Sequence, residues 1–272
     1  ADGSGFSLIE LVNSADRSVG GDLAEFVGLT FTPRGVATKD FNGDGIDDIA
    51  IAVERGLAGK GGAVVVYIGD EQGVFTHEQT LFLDESLVDS VLGITAGQFA
   101  INGTVDLVVT GFTKNTAIVL RNSGQTAPDA NRFSVDPLLT STPLTMNGTG
   151  ATSVQIGDIN GDGNGDIAIA NTLSGNVSLF EGNLDGSFKA ARQFAAGTFP
   201  TALQIQDLDG DSKPDIIFTV VTGSDRIGIL RNLGNVGLNG QVEFQAVETS
   251  GVAVLPDGST AFALTVGQLD SN

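Results

Sequence analysis

A nine-residue pattern of aspartate, asparagine and glycine, repeated along the chain and succeeded each time by a short apolar run, constrains this sequence more than any other feature. The fullest copy is Asp158-Ile159-Asn160-Gly161-Asp162-Gly163-Asn164-Gly165-Asp166, and Ile167-Ala168-Ile169-Ala170 comes directly after it. Asp40, Asn42, Asp44, Gly45 and Asp48 repeat it, as do Asp207, Asp209, Asp211 and Asp215 with Ser212 in the glycine place. Acidic or amide side chains at positions 1, 3, 5 and 9, with glycine at 6, make a cage of hard oxygens that suits calcium. The carbonyl of the seventh residue (Ile46, Asn164 or Lys213) is expected to add another oxygen. Three calcium sites are therefore predicted, one per loop.

The residues after each loop rule out an EF-hand. That motif needs an acidic ligand at position 12, where this chain has Ile51, Ile169 and Phe218. Ile49 to Val53, Ile167 to Ala170 and Ile216 to Val220 are short, apolar and carry β-branched residues, so they read as buried strands. Each loop then joins strand to strand, with the ninth carboxylate reaching back from the start of the second.

Aligned on the first position, the loop recurs near 40, 98, 158, 207 and 268. The copy at 98 is degenerate: Gln98, Ala100 and Asn102 replace the ligands, and only Gly103 and Asp106 keep their places. No metal is expected there. The fifth, Gln268-Leu269-Asp270, runs to the end of the sequence. A mean spacing of about 57 residues fits one four-stranded antiparallel unit. Strand 1 alternates before the loop (Val154 and Ile156, Leu203 and Ile205, Leu264 and Val266), the period of a strand with one buried face. Strand 2 comes after the loop. Strand 3 is expected at Ala63 to Ile68, Ala117 to Leu120, Val177 to Phe180 and Ile227 to Leu230, and strand 4 begins at Phe75, Phe133, Phe188 and Phe244. Unbroken apolar runs in strands 2 and 3 imply burial on both faces, so the sheets must stack face to face as propeller blades do.

Gly157-Asp158-Ile159-Asn160-Gly161-Asp162-Gly163, through Gly186-Ser187-Phe188, resembles the FG-GAP/VCBS repeat family, which includes the β-propeller of integrin α subunits. The resemblance implies an all-β fold with one four-stranded blade per repeat. It also implies structural calcium in the loop between strands 1 and 2, and an adhesive, extracellular role. The chain opens on a strand 4 (Phe6 to Val12) and closes on a strand 1 (Ala261 to Gly267), with four complete blades between. Residues 1–272 are thus expected to form a single propeller domain, cut from a longer one of roughly six to eight blades. A closed five-blade ring is the alternative.

Charge and composition narrow the function classes. Thirty-three acidic against 13 basic residues give a formal −20, which disfavours nucleic acid, since phosphate binding relies on Lys and Arg. No cysteine is present, so disulfides are excluded, and no apolar run is long enough for a membrane helix. The sole histidine, His77, sits beside Glu78 on an expected outer strand, and nothing resembles a nucleophile elbow. A non-enzymatic module that binds a protein or glycan is the reading; an accessory domain of a secreted carbohydrate-active enzyme or hydrolase, or a structural spacer of a surface protein, is the alternative. Two long connections, Asn13 to Arg34 and Thr140 to Gly150, lie on the face opposite the loops and are expected to present Phe26, Phe31, Arg34 and Met146 to a partner.

Overall fold

The computed structural model describes residues 31–55, 61–88, 90–99, 103–124, 132–136, 144–221, 227–234, 237, 241–245 and 264. Among them there is no helix, and hence none long and apolar enough to cross a membrane. The first blade orders β1 (Phe31–Lys39), β2 (Asp48–Arg55), β3 (Gly62–Gly69) and β4 (Phe75–Phe82) as an antiparallel sheet. The second is β5 (Val91–Gly97), β6 (Asp106–Gly111), β7 (Thr116–Asn122) and β8 (Phe133–Val135), and β9 (Leu144–Thr145) also pairs with β7. The third is β10 (Ala151–Gly157), β11 (Asp166–Asn171), β12 (Asn176–Phe180) and β13 (Arg192–Ala195).

The fourth blade divides into β14 (Pro200–Gln206), β15 (Asp215–Val220) and β16 (Ile227–Leu230), with a separate ladder of β17 (Asn232–Gly234) and β18 (Glu243–Phe244). Arg231 alone separates β16 from β17. Asn232 faces Phe244 just as Asn122 faces Phe133 in the second blade, so the two segments are one interrupted third strand.

Two-sided burial of the middle strands is what stacks the sheets. On β6, Leu107 and Val109 join a core with Ala50, Ala52, Val64 and Val66 of the first blade, while Val108 between them joins Ile167 and Ile169 of the third. On β11 the alternation repeats, with Ala168 and Ala170 packing towards Ile216 and Phe218 of the fourth. Period-2 geometry turns one continuous apolar run into two cores. The first strands of successive blades lie side by side in the order β1, β5, β10, β14. They approach closely: a Cβ on Gly97 would sit 2.8 Å from Ile156 Cγ2. Gln204 Nε2 donates to the carbonyl of Leu264 at 3.3 Å, which puts one residue of the expected fifth first strand beside β14.

Three expectations change. Phe188 makes only an isolated bridge to Gly182, and the fourth strand of the third blade begins at Arg192. The Thr140 to Gly150 connection is not a free loop where it is described. Leu144 and Thr145 pair with the start of β7, and Leu144 and Met146 are buried in the core between the second and third blades. Phe31 and Arg34 belong to β1, where Arg34 Nε donates to Glu54 at 2.7 Å, rather than to an insertion. Residues 13–30, including Phe26, and the strands expected at Phe6 to Val12 and, apart from Leu264, Ala261 to Gly267 lie outside the described residues.

Candidate metal centres

Each loop is folded by its own side chains. At 158, Asp158 Oδ1 accepts from the N–H groups of Gly161 (2.8 Å) and Asp162 (3.0 Å), and Oδ2 from Gly163 (2.9 Å). Asn160 Oδ1 takes the Asp162 N–H at 2.9 Å, and Asp162 Oδ1 the Asn164 N–H at 2.8 Å. The loop at 40 repeats this: Gly43 and Gly45 donate to Asp40, Asp44 to Asn42, and Ile46 to Asp44. At 207, Gly210 and Ser212 donate to Asp207, Asp211 to Asp209, and Lys213 to Asp211. Short acidic and amide side chains that accept from the backbone a few residues on are what make this spacing a turn at all. The sixth position takes positive φ: 88° at Gly45, 84° at Gly163 and 66° at Ser212.

The ninth carboxylate opens the second strand and reaches back. Asp48, Asp166 and Asp215 each accept with Oδ2 from the N–H of the second loop residue, Phe41 (2.7 Å), Ile159 (2.9 Å) and Leu208 (3.2 Å). Their Oδ1 atoms accept from the residue just past the third strand's apolar run: Gly69 (2.9 Å), Gly182 (2.8 Å) and Asn232 (2.8 Å). All three are buried. Burial, the largest influence, raises each carboxyl above its ordinary range, for Asp166 to about 7, although backbone donors oppose it. A carboxylate kept from water but wanting its charge is what a divalent cation stabilises.

The donor chemistry fits calcium at these loops, though unequally. Oxygens of Asp207, Asp209 and Asp215 lie within 4.8 Å of one another, a set of three carboxylates that the other two loops match only with an amide at position 3. By that count the loop at 207 leads, yet its electrostatics point the other way. Arg231 Nη1 donates to Asp209 at 2.9 Å and stands 3.7 Å from Asp215, and the Lys213 ammonium pairs with Asp211. These cations already hold groups an ion would need. Among the described residues no basic side chain forms an ion pair with Asp40, Asp44, Asp48, Asp158, Asp162 or Asp166.

At the degenerate loop near 98, a guanidinium pairs with the ninth carboxylate. Asp106 Oδ1 still accepts from Asn122, at 2.8 Å, but Oδ2 receives Arg121 Nη1 at 2.8 Å. Arg121 is held on its other side by Asp136 at 2.7 Å and lies 5.5 Å from the centre of the Phe99 ring. Neither Arg121 nor Arg231 stands out from the sequence as part of a site. The repeated triplet Leu120-Arg121-Asn122 and Leu230-Arg231-Asn232 is the one signal there that could point to them. The lone His77 rests its ring edge-on against Tyr67, and its Nε2 is 2.9 Å from Thr80 Oγ1.

An FG-GAP repeat model matches residues 31–68, and an FG-GAP-like repeat model matches residues 158–218. No curated protein sequence matches the chain. A functionally unknown protein from Desulfotomaculum acetoxidans aligns in its crystal structure with a TM-score of 0.51 at 11% identity, over 84% of this chain and 58% of that one. The chain thus spans less than two thirds of that protein's length, and the likeness is one of fold alone. The structure of a "putative 6-phosphogluconolactonase" from Bacteroides uniformis aligns with a TM-score of 0.47 at 11% identity, over 80% and 72%. The two matched segments contain all three acidic loops and leave out the degenerate one between them, so the chain carries FG-GAP-type repeats over those segments.

Proposed function

We propose that the chain is a calcium-stabilised, non-catalytic β-propeller module that works outside the cell or at its surface as a platform for a protein or glycan partner. The observation that carries the reading is the threefold recurrence of a buried ninth carboxylate behind an exposed loop of acidic and amide oxygens, at 40, 158 and 207. Calcium would occupy Asp40, Asn42, Asp44 and Asp48; Asp158, Asn160, Asp162 and Asp166; and Asp207, Asp209, Asp211 and Asp215, with the carbonyls of Ile46, Asn164 and Lys213. The ion supplies charge neutralisation and no reaction step.

The partner face is the one opposite the loops. There Leu173 is 59% exposed and Phe199 39% exposed, and the turns carrying them are tied together where Thr172 Oγ1 donates to the Pro200 carbonyl. Phe199 holds a φ of 54°, a conformation a bulky residue rarely adopts. Backbone strain kept on an exposed aromatic favours a binding role over a packing one. Calcium titration by calorimetry, with melting in calcium and in EDTA, tests the core of this reading. Extracellular modules bind calcium with constants on the order of 10⁻⁴ to 10⁻³ M, and free calcium at tenfold excess over such a constant adds about 1.4 kcal/mol per site. An unchanged melting temperature in EDTA would remove calcium from the account.

A further inference from the structure

One position decides how each blade treats its ninth carboxylate: the residue immediately before the backbone donor at the end of the third strand. It is Ile68 in the first blade, Arg121 in the second, Glu181 in the third and Arg231 in the fourth. Ile68 brings no charge. Glu181 points its charge at Lys189, 2.7 Å away, and Arg192, 3.5 Å away, rather than at the loop. The two arginines do reach the loop. Arg121 donates to Asp106 Oδ2, the atom whose counterparts in the other blades accept from the loop backbone. Arg231 spans Asp209 and Asp215, both of them candidate ligands.

We infer that this position is an affinity gate: Arg121 permanently takes the place of calcium in the second blade, and Arg231 is a displaceable counter-cation that makes the fourth blade's site the weakest of three. The inference rests on the calcium reading above. The two arginines differ in what they hold. Arg121 is fixed by Asp106, by Asp136, by the Gly186 carbonyl of the next blade and by the Phe99 ring. At the ligand positions of this blade's loop the sequence has Gln98, Ala100 and Asn102, which offer no carboxylate, so an ion has nothing to gain by evicting it. Arg231 instead holds carboxylates that calcium would hold better, since a divalent ion in a cage of four aspartates outweighs one guanidinium, and it must withdraw as the ion enters. Lys213, paired with Asp211, opposes the ion in the same way from position 7. A site that must first break ion pairs fills last as calcium rises, leaving the first and third blades loaded over a range in which the fourth is empty.

The test compares the full chain carrying D40N and D158N, in which the loop at 207 is the one acidic cage left intact, with the same chain also carrying R231Q. Calcium is titrated by calorimetry, and melting is measured in calcium and in EDTA. The expected result is at least fivefold tighter calcium binding with R231Q, together with a lower melting temperature in EDTA that calcium restores. An R231Q chain that is unfolded in EDTA and folds on adding calcium is the same result in stronger form; one that stays unfolded in calcium overturns the inference. R231I, which copies the first blade, should act as R231Q does. In an otherwise unaltered chain, R121Q should lower the melting temperature in a way calcium does not repair, and binding of a fourth ion by R121Q would overturn the second-blade half. If the unaltered chain binds calcium but R231Q leaves the fourth-blade constant unchanged, the gate fails while the calcium reading stands. If the unaltered chain binds none, both fall.

Discussion

At the residue scale, each loop ligand acts locally: it accepts from a backbone group no more than five residues away or, for the ninth carboxylate, from one seven residues back. The cations act across the fold. Arg121 meets Asp106 across 15 residues and Arg231 meets Asp209 across 22, separations that only the third strand's return defines. Ser212 gives a clean local prediction. It holds a φ of 66° where Gly45 and Gly163 stand in the sister loops. The left-handed region costs an L-residue roughly 1–2 kcal/mol, partly offset by the greater chain entropy of glycine. Ser212→Gly should therefore stabilise the protein by about 0.5–1 kcal/mol in urea unfolding.

Asp166 gives a prediction in pH. Burial, chiefly, pushes its carboxyl from 3.8 to about 7, and nearby Asp162 adds to this, while the N–H groups of Gly182, Ile159 and Asn160 pull it back. With the folded value above the unfolded one, the metal-free native state holds the proton longer than the unfolded chain. Stability in EDTA should thus fall as pH rises from about 4 to 7, and the full penalty, at most about 4 kcal/mol, stays in place above that. Calcium, which favours the charged carboxylate, should flatten the slope. Urea midpoints at pH 5 and pH 8 in EDTA should drop less for Asp166→Asn than for the unaltered chain; equal drops would show that the burial penalty lies elsewhere.

At the element scale, the four-strand unit could be read from the sequence because its two middle strands are continuous apolar runs and its first strand alternates. Outer strands were harder. A strand on the blade's edge buries little and carries a weak pattern, which is why the start at Phe188 gave way to Arg192. Side-chain ties between blades were not legible at all. Asn122 Nδ2 donates to the Phe41 carbonyl at 2.8 Å, and Asn232 Nδ2 to the Ile159 carbonyl at 2.8 Å, each crossing to the loop of the preceding blade. The buried amide satisfies a loop carbonyl that has no strand partner. Removing it leaves that carbonyl unpaired at a cost of about 1–3 kcal/mol. Asn232→Ala should lower stability by that amount and also weaken calcium at the loop starting with Asp158, with the loop at Asp40 unaffected. Calorimetry on chains retaining one cage or the other separates the two effects.

At the scale of the whole molecule, one contact type recurs between blades, and where it stops is informative. The second loop residue of one blade is apolar and packs on the outer-strand region of the next: Phe41 on Phe133 with ring centres 5.4 Å apart, Phe99 on Phe188 at 5.2 Å, and Ile159 in the core that holds Val242 and Phe244. Phe41, Phe99 and Ile159 are 3%, 1% and 2% exposed, whereas Leu208, the same position in the fourth blade, is 38% exposed. Phe75, the outer-strand counterpart in the first blade, is 42% exposed. The two half-contacts face solvent among the described residues. Sequence pattern alone could not show this, because Leu208 and Ile159 are equally apolar and differ only in how far each is covered. Truncating a buried Leu or Ile to Ala typically costs 2–5 kcal/mol, whereas truncating a part-exposed one loses only a fraction of its transfer free energy. Ile159→Ala should therefore cost about 2–4 kcal/mol and Leu208→Ala under about 1 kcal/mol, measured by urea unfolding in calcium. A Leu208→Ala cost matching that of Ile159→Ala would mean that in solution a further blade, from this chain or a longer one, covers the fourth-blade face.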